Sequence, residues 1–551
     1  MSRQKERHST HPGPTFGAPA GVRVTSRSNR PFSRWKILLT ARGLFWVCVL
    51  SSGIGVWAAD SRQALQNATS LVQQGRLDEA DKQARLALSD PDTRAVACSV
   101  LGTIRLQQRR LAESATFLQE AIRLEPHLLG ARLSLAEVYS LQNKPQQASA
   151  MYRQVLDLDS SNLTARLALA RSEADKGNYR QSLELARPAF DHLKRSPDGL
   201  FLLSTDYLQL GDREAASALA KEWLQLPNPS PSYSIKFAVL LAKGGVTDQA
   251  VEILENTRHA GGSSYELVFN LAGVYLLKKD PAKALEYYDQ ALIFNPKSVP
   301  ATKQAAGITE GQGELEHALS YWIRAKELEP NDPEVLLGFG RVCLKMDLLE
   351  DAEPALTRAA SLRPKDPAYQ YILASAKVGK KQFAAAQELL ERLVQQQPAE
   401  AQFHYALGSV LYLQGRLPEA ASQLQESIRL QPDQLAPYYY MALVARDQGN
   451  EAEAIQRLED LLRRYPDHAL SCEALGSLLM SAHRYPEAES NLEKAVRLNP
   501  KSVKANYQLG LLLARMGKKE DSEKQLALSK SLREEDEANS RLQLRLLDPD
   551  R

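Results

Sequence analysis

The side chains best able to do chemistry in this sequence stand apart from one another. The histidines are His8, His11, His127, His192, His259, His317, His404, His468 and His483, with no HExxH and no two at i, i+4. A zinc site on a helix needs that spacing, so no metal is implied. Cys48, Cys98, Cys343 and Cys472 form no CxxC pair, which excludes a zinc knuckle or a thioredoxin-type redox site. Gly338-Phe339-Gly340 begins like a phosphate-cradling loop, but no GxxxxGK[ST] occurs, and its helical context favours close packing over phosphate binding. No catalytic residue and no cofactor emerges, and the chain reads as not an enzyme. What does recur is aromatic. Tyr371, Tyr405 and Tyr439 are spaced 34 residues apart, with Tyr412, Tyr440 and Tyr507 nearby. Tyrosines on equivalent sites offer rigid, amphipathic area suited to an extended peptide.

At ~150 residues per domain, 551 residues would make three or four globules. The composition points elsewhere. Hydrophobic residues are 44% and charged residues 25%, the balance of an ordered chain rather than a disordered one. Aromatics are only 7%, and Leu, Ala, Gln, Glu and Arg are all abundant, which is a helix-forming vocabulary. The net charge of +3 hides an asymmetry, because residues 1–58 carry nine Lys/Arg and one acid. The remainder is mildly acidic, so no basic surface for nucleic acid is implied.

The body repeats itself. The period is 34 residues, and fourteen units start at 61, 95, 129, 163, 197, 231, 265, 299, 333, 367, 401, 435, 469 and 503. Position 8 of every unit is Gly, Ala or Ser, as in Gly102, Ala136, Ser204, Gly340 and Gly408, and so is position 20, as in Ala80, Ser114, Ser182, Ala420 and Ser522. Position 24 is mostly large, for example Leu118, Trp322, Leu356, Leu424 and Leu492. Two small columns let paired helices approach, and the large column fills the space beside them. Position 15 favours residues that accept positive φ: Gly75, Asn143, Gly177, Gly211, Gly245, Gly313, Gly415, Gly449 and Gly517. Position 32 is often proline (Pro126, Pro296, Pro330, Pro364, Pro398, Pro432, Pro466, Pro500), which stops the second helix.

This pattern over residues 61–536 resembles the tetratricopeptide repeat family. The resemblance implies an all-α fold: a right-handed superhelical solenoid of about fourteen 34-residue helix-turn-helix repeats, with a concave groove lined by first helices. It implies a binder of proteins or peptides, with no small-molecule substrate. Repeats 4 to 6 (163–264) depart from it, carrying Lys194, Asn228 and Gly262 in place of the proline and Trp223 and Thr257 at the usually small position 27. Local irregularity is expected there. Cys98, Cys343 and Cys472 fall on first-helix packing sites of distant units, too far apart to cross-link. The family's carboxylate clamp of basic and amide side chains is not matched, because Lys303, Gly307 and Asn270 do not line up as it requires. The candidate partner-binding residues are Tyr371, Tyr405, Tyr412, Tyr439 and Tyr507, with position 5 facing the groove. The other reading, that tyrosine is an ordinary residue of that column, stays open, since Leu65, Leu133, Phe201, Ile235 and Leu337 fill it earlier.

The two ends read differently. Residues 1–36 are polar and basic with several prolines, and are expected to be disordered. Residues 37–59 contain Leu44–Ala59, sixteen uncharged residues after Arg42, and read as a signal peptide cut near Ala58 or as a retained membrane anchor. Either places the repeats outside the cytoplasm, because positive charge stays inside. Residues 537–551 read as a C-terminal capping tail, with Leu542, Leu544, Leu546 and Leu547 packing back on repeat 14. The chain as a whole reads as an interaction scaffold or adaptor of the cell envelope, periplasmic or secreted. The alternative is an inner-membrane component of an envelope assembly or polymer-export machine, its repeats facing outward and its only membrane contact the anchor. A carbohydrate-active protein is disfavoured because the array leaves no room for a catalytic domain.

Overall fold

A computed structural model describes residues 56–261 and 263–538. The expectations for residues 1–55 and for the tail from 539 onward lie outside the described residues. Among the described residues there is helix and no strand, and each 34-residue unit is a helix pair, from Val56–Gln73 with Leu77–Leu86 to Val503–Arg515 with Lys519–Ala538. Among them, no helix is long and apolar enough to cross a membrane. The chain divides into two compact units, one up to Tyr287 and one from Tyr288, with the boundary inside the second helix of repeat 7 (Pro281–Phe294).

Within each unit the columns do what their sizes suggest. A Cβ added to Gly102 at position 8 would stand 2.5 Å from Leu118 at position 24, and one on Gly340 would stand 2.5 Å from Leu356. Gly408, Gly476 and Gly510 are closed in the same way by Leu424, Leu492 and Leu526. Where position 8 is alanine it is fully buried, as at Ala136, Ala238 and Ala306. So one large side chain of the second helix seats on the small site of the first, at the spacing of close-packed helices. Position 20 is more than small. Ser114 Oγ donates to the Gly102 carbonyl at 2.7 Å, and Ser522 Oγ to the Gly510 carbonyl at 2.8 Å, so these two serines add a bond across their own pair. Gly338 and Gly340 are explained by this packing too, since a Cβ on Gly338 would meet Trp322 at 2.3 Å.

The turns are uniform. Position 15 has positive φ in all fourteen units, including the five that carry Arg109, Lys279, Asp347, Lys381 and His483, with φ between 57° and 62°. At position 34, Asn162, Ser196, Ser264, Ser298, Asp332, Asp366 and Ser502 accept a backbone N–H of the following first helix, forming N-caps that the repeat columns had not singled out. The proline at position 32 acts on its predecessor as well. Glu125, Glu329, Arg363, Gln397, Gln431, Tyr465 and Asn499 have left the helical region, with φ between −128° and −136° and ψ between 60° and 92°. Proline disfavours the helical region for the residue before it, but this ending does not require proline: Asp159 before Ser160 has φ −141° and ψ 91°, and its helix also stops at position 30.

Repeats 4 to 6, which lack that proline, end differently. The second helix of repeat 4 stops at Ala186, passes through a 3-10 turn at Arg187–Ala189 and resumes only as Phe190–Leu193. Pro188 has no N–H to continue the ladder. Repeats 5 and 6 close through left-handed Asn228 (φ 46°) and Gly261 (φ 87°). Trp223 at position 27 is buried, its ring 4.0 Å from that of Phe237 and nearly parallel to it. Repeat 1 also departs from the register. Its second helix ends at Leu86, and the next helix begins at Pro91, capped by Asp90.

Candidate protein-interaction surface

The candidate tyrosines sit on first helices of the second unit: Tyr371 on Pro367–Gly379, Tyr405 and Tyr412 on Ala401–Leu413, Tyr439 on Leu435–Asp447 and Tyr507 on Val503–Arg515. They do not form an open ladder. Tyr405 is only 1% exposed and Tyr439 only 8%. This corrects the expectation that position 5 points into a groove. The position-5 ring instead fills the gap to the next first helix. Tyr371 lies 5.8 Å from Phe403, and Phe201 of the earlier repeats lies 5.7 Å from Tyr233, so in both places position 5 meets position 3 of the following unit.

Tyr371 and Tyr412 are half-buried, whereas Tyr507 is 44% exposed. The centre of the arrangement is a residue outside the position-5 column, Tyr440. Its half-buried ring stands edge-on to Tyr405 at 5.9 Å, to Tyr412 at 5.6 Å and to Tyr439 at 5.8 Å. Such edge-to-face contacts hold rings in fixed rotamers. Beside it, the Tyr412 hydroxyl donates to Asp447 Oδ2 at 2.7 Å and accepts from Arg446 Nη2 at 3.0 Å. Arg446 Nε also donates to Asp447 Oδ1 at 2.7 Å. Burial first, then the Asp447 carboxylate, raises the Tyr412 hydroxyl well above its usual pKa, so it stays a donor. Asp447 is lowered: burial would raise it, but Arg446 and the Tyr412 hydroxyl outweigh that.

A second polar line runs along the same helices. Gln402 Nε2 donates to the Tyr371 hydroxyl at 2.7 Å, and Gln434 Nε2 donates to Gln402 Oε1 at 2.9 Å. Ser427 Oγ lies 3.2 Å from Gln434 Oε1 and 2.9 Å from the Ala401 carbonyl. Ion pairs tie other first helices together. Arg341 Nε donates to Glu310 Oε1 at 2.7 Å, its Nη2 to Oε2 at 2.6 Å, and Lys345 lies at 3.0 Å. Burial raises the Glu310 pKa, but these cations more than offset it and hold the carboxyl below its ordinary range. Glu473, at position 5 of repeat 13, is buried and receives Ser502 Oγ at 3.0 Å and Lys504 at 2.8 Å.

Among the described residues no group of three or more His, Cys, Asp or Glu could hold a metal ion. Cys98, Cys343 and Cys472 are buried and free, and burial pushes the Cys343 thiol up to about 12. A cavity of about 590 Å³ in the first unit is lined by Leu88, Arg94, Cys98, Phe117, Glu120 and Arg123, among others. The Glu120 carboxylate there is already held by Arg123 through two bonds of 2.7 Å.

Comparison with known proteins agrees with the helix pairs. One family model, described as Tetratricopeptide repeat, matches residues 133–199, 235–299, 371–434 and 473–530. Two further models of the same description match 311–376 and 438–468. The curated CTR9 homolog of Arabidopsis thaliana is 21% identical over 288 residues, 50% of this chain and 26% of that protein, so the chain spans about a quarter of the relative it matches. Similar solved structures include YrrB, titled a TPR protein with an unusual peptide-binding site, at 19% identity and TM-score 0.31, covering 33% of this chain and 94% of that one. The yeast Tom70 structure gives 15% identity and TM-score 0.34, covering 88% and 97%. The Cut9–Hcn1 structure gives 14% identity and TM-score 0.37, covering 83% and 97%. With the family matches running from residue 133 to residue 530 and a helix pair in every 34-residue unit, the chain belongs to the tetratricopeptide repeat family.

Proposed function

We propose that this chain is an interaction scaffold that holds a peptide or protein segment along the first helices of repeats 10 to 14. The observation that supports this is the Tyr440 cluster. One half-exposed ring is fixed by three edge-on tyrosines and bordered by the Tyr412–Arg446–Asp447 network. A preorganised aromatic surface with donors at its rim gains contact area without losing much rotamer freedom. Tyr371, Tyr412, Tyr440 and Tyr507 are the contact residues of this reading, and Tyr405 and Tyr439 support them from beneath. The test is affinity purification from the native host, with mass spectrometry of what co-elutes. A Tyr412→Ala/Tyr440→Ala/Tyr507→Ala variant, folded by circular dichroism, should lose the partner that a Tyr438→Ala variant keeps. Equal retention by both would leave these tyrosines without a binding role.

The scaffold works outside the cytoplasm in this reading, as a periplasmic or secreted adaptor. The basic segment before Leu44–Ala59 and the small residues at its end support export. A mature protein beginning near Ala59 and fractionating as soluble is the expected result. An intact apolar segment in a protein that resists carbonate extraction would instead make it an anchored component of an envelope assembly or polymer-export machine.

A further inference from the structure

The irregular fourth and fifth repeats contain a carboxyl group that the binding reading does not use. Asp206, on the first helix of repeat 5 (Pro197–Gln209), is 0% exposed. Its one hydrogen bond is from Ser182 Oγ to Oδ2 at 2.5 Å, reaching back to the second helix of repeat 4 (Tyr179–Ala186). Its other oxygen, Oδ1, is buried without a partner. Among the described residues no cation is paired with it. On the first helix of repeat 4, buried Glu173 is already bonded to Lys176 and Asn178. Arg180 and Glu184 on the helix bearing Ser182 are exposed, as are Arg187 in the 3-10 turn and Asp191 and His192 on the short helix after it. On the second helix of repeat 5, Glu214 and Lys221 are exposed. Tyr233 on the first helix of repeat 6 is bonded to Asp198. Tyr207, beside Asp206 on its own helix, is the titratable neighbour that feels its charge.

The surroundings are poorly able to absorb a change. The helix that carries Ser182 breaks four residues later, and a Cβ on Gly199 would stand 2.3 Å from the Leu193 carbonyl. The two repeats therefore touch backbone to backbone where the second helix is already interrupted.

We propose that Asp206 is a proton-controlled latch between repeats 4 and 5, closed while the carboxyl is neutral and loosened when it ionises. A neutral acid at this site shares one bond with Ser182 and leaves no charge unmatched. An ionised one leaves a buried charge with a single donor, which favours any opening that admits water. Burial, opposed only by the Ser182 bond, raises Asp206 from 3.8 to about 6. The sign follows from a folded-state value above the unfolded one. The contribution is complete below the unfolded value and is lost as pH rises through the folded one.

Hydrogen exchange of the full chain, corrected for the intrinsic rate, reads this directly. Protection in 179–209 should fall about tenfold between pH 5 and pH 8, while 435–480 keeps its protection. Asp206→Asn, which cannot ionise, should remove the slope. A flat wild-type profile, or the same slope in Asp206→Asn, would overturn the proposal. If that variant does not fold, Ser182→Ala decides the matter. It keeps the acid but removes the donor that favours ionisation, so the transition must move to higher pH; an unmoved midpoint would overturn the latch.

Discussion

Lys381 holds a backbone angle, φ 57°, that a side chain disfavours. A left-handed residue with a Cβ costs roughly 1–2 kcal/mol, and glycine returns part of that as unfolded-state entropy. Lys381 is exposed, so Lys381→Gly should stabilise the protein by about 0.5–1 kcal/mol, read as a higher urea midpoint at unchanged slope. The nine glycines and asparagines at position 15 made this turn legible in the sequence, whereas Arg109, Lys279, Asp347, Lys381 and His483 adopt the same angle without advertising it. There the geometry of two packed helices overrides residue preference. The tyrosines teach the opposite lesson. Their 34-residue spacing correctly identifies equivalent sites, but a period reports equivalence and not direction, and the direction is into the seam between repeats. Tyr405→Ala should therefore cost about 3–5 kcal/mol by leaving a cavity. Tyr507→Ala should stay within about 0.5 kcal/mol, so thermal denaturation of the two variants separates wall from surface.

Helix pairs are where the sequence was most informative. Small columns at positions 8 and 20 and a large column at 24 can be satisfied only by two helices in contact, and the structure places Leu424 against Gly408 with Ala420 fully buried beside them. Ala420→Phe forces a ring into that contact and should destabilise by about 1–3 kcal/mol or more. Because each repeat leans chiefly on its neighbours, increased hydrogen exchange should stay within repeats 10 to 12. Loss of protection spread evenly along the array would contradict that locality. The missing prolines of repeats 4 to 6 were legible as an irregularity, but its form was not. Pro188, the left-handed Asn228 and Gly261, and the stacking of Trp223 on Phe237 each depend on what the next helix presents. The N-caps at position 34 were present in the sequence as Ser, Asp and Asn, and could have been found by asking what precedes each first helix.

Over the whole molecule, stability on the acid side rests on carboxylates held below their ordinary range by paired cations or hydrogen-bond donors, among them Glu173, Glu310 and Glu353. A lowered folded-state value means their contribution is present above the unfolded value and is lost as pH falls through the folded one. The melting temperature should therefore drop below about pH 4, and Glu310→Gln should flatten part of that drop. An acid limb unchanged in that variant would remove Glu310 from the account. The 34-residue period has a consequence under load. Each repeat that lets go releases 34 residues, or roughly 110–120 Å of extended chain. A single molecule drawn out by its ends should give a force trace of evenly spaced teeth, and the interrupted helix at Arg187–Ala189 marks the link where tearing starts.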